Sequence, residues 1–122
     1  MRICCFFLII LFTCPAFATD KSGNYAIWGV GNSSCIKYTS TRAAKNDTNE
    51  YRYFLMGYLT AYNYQSEQTY SISNSMTLDE ILTWFDGECE LKPTSSFEQA
   101  IMAFIIEHHE KRAKFPPGGF GR

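Results

Sequence analysis

The hydrophobic pattern of the chain becomes helical near residue 47. Between residues 19 and 45 no period is sustained, and glycine, asparagine and serine recur, which indicates irregular structure or a short helical turn. Asp47 and Glu50 have the spacing of a capping box, so a helix is predicted from Asp47 to between Asn63 and Ser66. The apolar positions of this helix recur at i, i+3, i+4 and i+7 spacing: Tyr51, Phe54, Leu55, Tyr58, Leu59 and Tyr62.

Gly57 lies in the middle of this predicted helix. A glycine there costs about 1 kcal/mol relative to alanine, and it usually marks the close approach of another backbone. We therefore expect a neighbouring helix to cross at Gly57.

Two further helices are predicted after a polar loop over residues 65 to 76. The second begins with the capping box Thr77-x-x-Glu80, and the third follows Pro93, begins with Ser95-x-x-Glu98 and runs to about Lys114. Their apolar stripes are Leu78, Ile81, Leu82, Phe85 and Cys89, and then Phe97, Ile101, Phe104 and Ile105, widened by Met102 and Ile106.

These elements predict an all-α fold, a small single-domain bundle of three to four helices over residues 19–114. Residues 115–122 contain the run Pro116-Pro117-Gly118-Gly119, which is typical of a flexible C-terminal tail.

The first eighteen residues have the pattern of a signal peptide. Arg2 precedes an apolar run over residues 3 to 12, and Ala16-Phe17-Ala18 has the small residues of a cleavage site. The run is too short to span a bilayer, so we expect cleavage before Thr19, a periplasmic or secreted protein, and no membrane contact afterwards. Lipidation at Cys14 is the alternative.

Cleavage would leave two cysteines, Cys35 and Cys89, and in an exported chain two cysteines most simply form one disulfide. This bridge would close a loop of 54 residues and add about 4 kcal/mol of stability. The alternative is a pair of unpaired thiols or a metal pair, which no Cys-x-x-Cys motif or neighbouring His supports. We expect Trp28 to enter the core and shield the bridge.

The charge balance argues against a nucleic-acid partner. Beyond residue 18 the chain has about ten Lys and Arg against twelve Asp and Glu, with no basic stripe. No metal and no cofactor are expected.

No catalytic motif is present in the sequence. His108 and His109 are adjacent on the predicted third helix, where their rings would point about 100° apart, so they do not form a metal pair. They indicate a solvated helix end, with i,i+4 pairs Glu107–Lys111 and Glu110–Lys114, or alternatively a pH-sensing site. The carboxylates near Cys89, which are Asp86, Glu88 and Glu90, also indicate a solvated helix end. We therefore expect a protein that is not an enzyme.

Tyrosine is concentrated between residues 51 and 70. Tyr53 and Tyr64 lie off the apolar stripe of the first long helix, and Tyr70 lies in the loop after it. Because tyrosine is favoured at interfaces, these three are candidate partner-binding residues; the alternative is ordinary half-buried aromatics.

Most of residues 28 to 106 resemble two groups of small exported bacterial proteins, the HdeA-like proteins and the Rap1a/Tai immunity proteins. The resemblance rests on Trp28 before Cys35, on Gly57-Tyr58-Leu59-Thr60-Ala61-Tyr62-Asn63, and on Leu78-Asp79-Glu80-Ile81, Trp84-Phe85, Cys89, Pro93 and Ala100. Both groups are small helical periplasmic proteins held by a disulfide.

The resemblance implies a protein partner, either a client or an effector. An HdeA-like protein would protect clients under acid stress, because acid neutralises its carboxylates and loosens the fold. An immunity protein would bind and neutralise a toxic effector in the periplasm. A secreted factor acting on a host or neighbouring cell is a third alternative, and a homodimer stays open.

Overall fold

A computed structural model describes residues 19–45 and 47–118, so the predicted signal peptide, Asn46 and the last four residues of the predicted tail lie outside the described residues. The described part contains four α-helices: α1 over Cys35–Ala43, α2 over Asn49–Gln65, α3 over Leu78–Leu91 and α4 over Phe97–His108. Two 3₁₀ turns, Gly29–Asn32 and His109–Lys111, flank them. No strand occurs in these residues beyond two isolated bridges, and the predicted all-α fold is confirmed.

Helix α1 lies where the sequence predicted irregular structure or a short helical turn. The Ser34 hydroxyl caps it by accepting from the Lys37 N–H at 3.3 Å, and the Cys35 N–H donates to the Ser95 carbonyl at 2.8 Å. Tyr38 is fully buried on its inner side. Helix α1 is therefore held by contacts with distant parts of the chain rather than by its own serine- and threonine-rich sequence.

Of the three capping boxes predicted from the sequence, the structure contains one at the predicted residues. The capping box of Thr77 and Glu80 is confirmed at α3. The box predicted at Asp47 is wrong, because Thr48 is the N-cap residue of α2 and the Asp47 carboxylate accepts from the Asn49 N–H.

The capping box predicted at Ser95 for α4 is wrong by one residue, since Ser96 and Gln99 form it. The predicted end of this helix near Lys114 is also wrong. Helix α4 ends at His108 because the following chain turns back, and the Ala113 N–H donates to the Ser71 carbonyl at 2.9 Å.

The core lies between the apolar stripes of α2, α3 and α4 and the inner side of α1. Ile72, in the loop after α2, is also buried, and its N–H donates to the Asn63 side chain at 2.8 Å. The prediction that Met102 and Ile106 widen the buried stripe of α4 is wrong, because their side chains are 38 % and 72 % exposed. The buried apolar residues are Cys35, Tyr38, Tyr51, Leu55, Leu59, Ile72, Ile81, Leu82, Phe85, Cys89, Phe97, Ala100, Ile101, Phe104 and Ile105.

The disulfide between Cys35 and Cys89 is present, as predicted, and joins the first residue of α1 to α3 with a Cα–Cα distance of 4.9 Å. Both cysteines are fully buried. The prediction that Trp28 shields the bridge is wrong, because its side chain is 83 % exposed. Trp28 precedes the 3₁₀ turn Gly29–Asn32, which places the buried Gly31 against α2 instead.

The prediction that a neighbouring helix crosses at Gly57 is wrong, and the tightly packed glycine of the described chain is Gly31. A Cβ on Gly57 would meet nothing within 4 Å, and no helix crosses there within the described chain. A Cβ on Gly31 would overlap the Phe54 ring and the Ile27 side chain.

We expect Gly31→Ala to lower the free energy of unfolding by about 1–3 kcal/mol, because the added methyl forces the Phe54 ring away from the 3₁₀ turn. Gly57→Ala is the matched control and should raise stability by up to about 1 kcal/mol, since alanine is the better helix former and the space is open. Urea unfolding of both variants measures this difference. Equal midpoints would contradict the close packing at Gly31.

Candidate functional site

A buried carboxylate lies at the N-terminus of α4. Glu98 is the second residue of this helix and is only 2 % exposed. Its Oε1 accepts hydrogen bonds from the Tyr58 hydroxyl at 2.6 Å and from the Tyr25 hydroxyl at 2.9 Å. Three distant parts of the chain, namely the N-terminal segment, α2 and α4, therefore converge on one carboxylate oxygen.

A cavity of about 480 Å³ lies beside Glu98. Its walls come from three segments, residues 23–27, 32–34 and 94–99, and Glu98 is part of its lining. The other lining side chains are neutral, and many carry oxygen acceptors: Asn24, Asn32, Ser34, Thr94, Ser96 and Gln99. We call this space the Glu98 cavity.

No cation of the described chain pairs with Glu98. The ion pairs within residues 19–45 and 47–118 are Arg42–Asp86, Arg52–Asp79 and Lys92–Glu88. The positive end of the α4 dipole and the two tyrosine hydroxyls offset part of the negative charge. A buried carboxylate in a lining without a basic side chain makes the Glu98 cavity attractive to a positive group.

Three tyrosines beside carboxylates have a raised pKa, namely the surface residue Tyr25, the half-buried Tyr58 and the buried Tyr38. Burial and the negative charge of Asp86 raise the pKa of Tyr38, whose hydroxyl donates to that carboxylate at 3.0 Å. Burial and the hydrogen bond to Glu98 raise the pKa of Tyr58. Both hydroxyls are therefore protonated donors at neutral pH.

These shifts predict a loss of stability in alkali. An unfolded tyrosine loses its proton near pH 10, whereas Tyr38 and Tyr58 keep theirs in the folded protein. Above about pH 10 the unfolded state binds fewer protons, so the free energy of unfolding falls as pH rises. Urea unfolding between pH 8 and pH 12 measures this slope. Tyr58→Phe should reduce the slope and Tyr53→Phe, at an exposed site, should not; equal slopes would contradict the assignment.

The outward face of α2 is exposed and uncharged. Six positions at i, i+3, i+4, i+7, i+8 and i+11 spacing point away from the core, and all six are exposed. Between residues 53 and 65 the helix carries no charged residue. We call this the outer face of α2, and its members are Tyr53, Met56, Gly57, Thr60, Ala61 and Tyr64.

The candidate partner-binding tyrosines do not form one cluster. Tyr53 and Tyr64 are 66 % and 90 % exposed and lie on the outer face of α2, about 16 Å apart along the helix axis. Tyr70 is half exposed and lies in the loop beside Ala113, to whose carbonyl its N–H donates. The structure therefore brings two of the three onto one surface.

The two histidines are partly buried and contact residues of the bundle, so they do not form the solvated helix end that the sequence indicated. His108 Nδ1 lies 2.9 Å from the Phe104 carbonyl, and its ring stacks on that of Phe104. His109 Nδ1 lies 2.8 Å from the Tyr62 hydroxyl. Neither of the i,i+4 pairs predicted beside them, Glu107–Lys111 and Glu110–Lys114, is within ion-pair distance.

The prediction that Asp86 lies at a solvated helix end is also wrong, because its carboxylate is paired with side chains of α1. It forms a bidentate pair with Arg42, with the Arg42 Nε–Oδ1 distance at 2.8 Å, and it accepts from Tyr38. Glu88 pairs with Lys92 at 2.7 Å, while Glu90 is exposed. We call Asp86, Arg42 and Tyr38 the Asp86 group. Its hydrogen bonds join α1 to α3, one helical turn before the disulfide residue Cys89, and hold the two helices together.

Sequence reasoning missed Glu98 and Tyr25 as site residues. Glu98 was interpreted as part of a capping box, a role that Gln99 fills. Tyr25 lies in a segment without a pattern, and its partner is 73 positions away. Acidic residues are common in the first turn of a helix, because the positive end of the helix dipole favours them. The sequence therefore does not mark Glu98 as special, and only its three-dimensional contacts do.

Within the described residues, no group of three or more His, Cys, Asp or Glu side chains could hold a metal ion. None of the helices there combines the length and the apolar character that a membrane span needs. Comparison with protein-family models, with characterised proteins and with solved structures finds no match to this chain. The resemblance to HdeA-like and Rap1a/Tai proteins therefore stays a prediction.

Proposed function

We propose that this protein is a non-enzymatic exported protein that binds a folded protein partner, with the outer face of α2 as the contact surface. The observation that carries the proposal is the absence of charge on this face. A solvent-exposed helix face usually carries charged side chains, whereas three turns of α2 expose only tyrosine, methionine, threonine and small residues.

The composition of the outer face of α2 matches that of protein interfaces. Their cores are depleted of charged residues and enriched in tyrosine and methionine, as at Tyr53, Tyr64 and Met56. Gly57 and Ala61 between them leave a shallow strip on which a partner backbone could approach closely. A tyrosine gives a large contact area and loses little conformational entropy on binding.

An inhibitor of the immunity type fits this surface best, because such a protein needs a persistent folded face at neutral pH. The disulfide and the capping boxes of α3 and α4 support such persistence. Signal-peptide cleavage and export belong to this proposal as well.

A second candidate, the acid-stress chaperone, is favoured by the Asp86 group. Asp86 forms a bidentate charge pair with Arg42, and this pair joins α1 to α3. Loss of near-ultraviolet circular dichroism below about pH 3, together with protection of an aggregating client, would favour this candidate. A fold that persists there without protecting the client would favour the inhibitor.

We expect Ala61→Glu to weaken partner binding by about tenfold or more, because it places an unpaired charge in the centre of the contact surface. The partner is first captured from exported proteins of the source cells by a photo-crosslinking amino acid at position 64. Its affinity for each variant is then measured with the oxidised protein at pH 7.

Thr83→Glu, at an exposed position on α3, is the matched control and should leave the affinity unchanged. Both substitutions should change stability by no more than about 0.5 kcal/mol. A partner that binds the Ala61→Glu variant as tightly as the unchanged protein would overturn the assignment of this surface.

A further inference from the structure

We propose that the Glu98 cavity is a recognition site for the guanidinium group of an arginine side chain. The protein would take this arginine from its partner. The source of the arginine rests on the proposed protein-binding function, whereas the cation site itself does not.

The charge of the cavity is the first reason. Glu98 is 2 % exposed and lines a cavity of about 480 Å³, yet no basic side chain of the described residues pairs with it. A carboxylate removed from water is stabilised by an opposite charge brought next to it, so the site favours an incoming cation over a neutral group.

The hydrogen-bonding geometry is the second reason. Both tyrosine donors bond to Oε1 of Glu98, and Oε2 accepts no hydrogen bond from the described residues. Among the described residues, the Tyr51 hydroxyl is the side-chain polar atom that is both sealed from solvent and unpartnered, so Oε2 of Glu98, a residue of the cavity lining, keeps some accessible surface. An N–H donor that enters the cavity can therefore bond to Oε2 without displacing either tyrosine.

The shape of the wall favours guanidinium over a metal ion. The Tyr25 ring lies at the cavity with about half of its surface exposed, which offers a face on which a planar cation can stack. The remaining N–H groups would meet the side-chain oxygens of Asn24, Asn32 and Thr94. Guanidinium is weakly hydrated and carries five donors, and this suits a site with one carboxylate and several neutral acceptors.

Tyr25 and Tyr58 have a positioning role in this site. Both hydroxyls donate to Oε1, so they hold the carboxylate in place when Oε2 is engaged. The site is thus assembled before any ligand enters, which reduces the entropic cost of binding.

The test uses the mature, oxidised protein labelled with ¹⁵N and titrated with N-methylguanidinium, with N-methylurea as a neutral molecule of nearly the same shape. We expect saturable amide shifts confined to residues 23–34 and 94–99 with the cation only. Glu98→Gln keeps an oxygen acceptor for both tyrosines and removes the charge, so it should weaken binding by about tenfold or more. Glu90→Gln, at an exposed carboxylate on α3, is the control and should bind as before.

Two peptides separate the sources of the cation. If an arginine-containing peptide binds about tenfold more tightly than free N-methylguanidinium and its citrulline counterpart does not bind, the ligand is a polypeptide arginine. Equal affinities would overturn that source and leave a site for small guanidinium compounds. Equal shifts with N-methylurea, or undiminished binding to a folded Glu98→Gln variant, would overturn the cation site itself, whatever Ala61→Glu does to partner binding.

Discussion

Replacing Cys35 and Cys89 together with alanine is expected to lower the free energy of unfolding by about 4 kcal/mol. The bridge closes a 54-residue loop, and without it the unfolded chain regains the conformational freedom of that loop. The total stability of a domain of this size is about 5–15 kcal/mol, so the loss is a large share of it. Alanine is chosen because serine would place hydroxyls at two fully buried positions.

Urea unfolding of the oxidised protein and of the double variant at pH 7 measures the change. The unchanged protein in a reducing buffer is the control, and it should lose a similar amount of stability. Equal unfolding midpoints for the oxidised protein and the double variant would contradict a stabilising role of the bridge.

The disulfide also supports the wall of the Glu98 cavity. Asn32 and Ser34 line the cavity just before Cys35, and the Cys35 N–H donates to the carbonyl of Ser95, which lies between the lining residues Thr94 and Ser96. We therefore expect the double variant to lose affinity for N-methylguanidinium in addition to stability, even where it remains folded.

The elements predicted well from the sequence are those whose signals are local. Helix α3 begins at a capping box and buries one apolar stripe, and both features are readable within fourteen residues. Helix α1 has neither feature. Its serines and threonines favour other conformations, and it forms because Cys35 and Tyr38 are fixed by α3 and by the α3–α4 connection.

The start of α4 shows how two local signals can compete. Ser95-x-x-Glu98 and Ser96-x-x-Gln99 are both capping boxes in sequence, and only tertiary contacts choose between them. The Ser95 carbonyl accepts from Cys35, while the Phe97 N–H donates to the Ser33 carbonyl at 2.8 Å. This register leaves Glu98 free to meet the tyrosines, which is why the candidate site could not be predicted from spacing.

Phe97→Ala is expected to lower the free energy of unfolding by about 3–5 kcal/mol, since it leaves a cavity where several elements meet. Phe97 is fully buried. Its ring centroid lies 4.9–6.4 Å from those of four other aromatic rings, contributed by α1, α2 and α3: Tyr38, Tyr51, Phe54 and Phe85.

Thermal and urea unfolding of Phe97→Ala measure the loss, with Phe115→Ala as the control. Phe115 is 66 % exposed, so its removal should change stability by no more than about 0.5 kcal/mol. A loss below about 1 kcal/mol for Phe97→Ala would show that the surrounding rings collapse into the space and that the core is not fixed by this residue.

Phe97 also connects stability to the candidate site, because it directly precedes Glu98 in the first turn of α4. If its ring fixes that turn, the Phe97→Ala variant should weaken guanidinium binding under conditions where it is still folded. Ile72→Ala should lower stability alone, because this core truncation lies in the loop whose Ser71 pairs with Ala113, beyond the C-terminus of α4. Equal losses of affinity in the two variants would mean that the cavity depends on general stability rather than on the placement of Glu98 by Phe97.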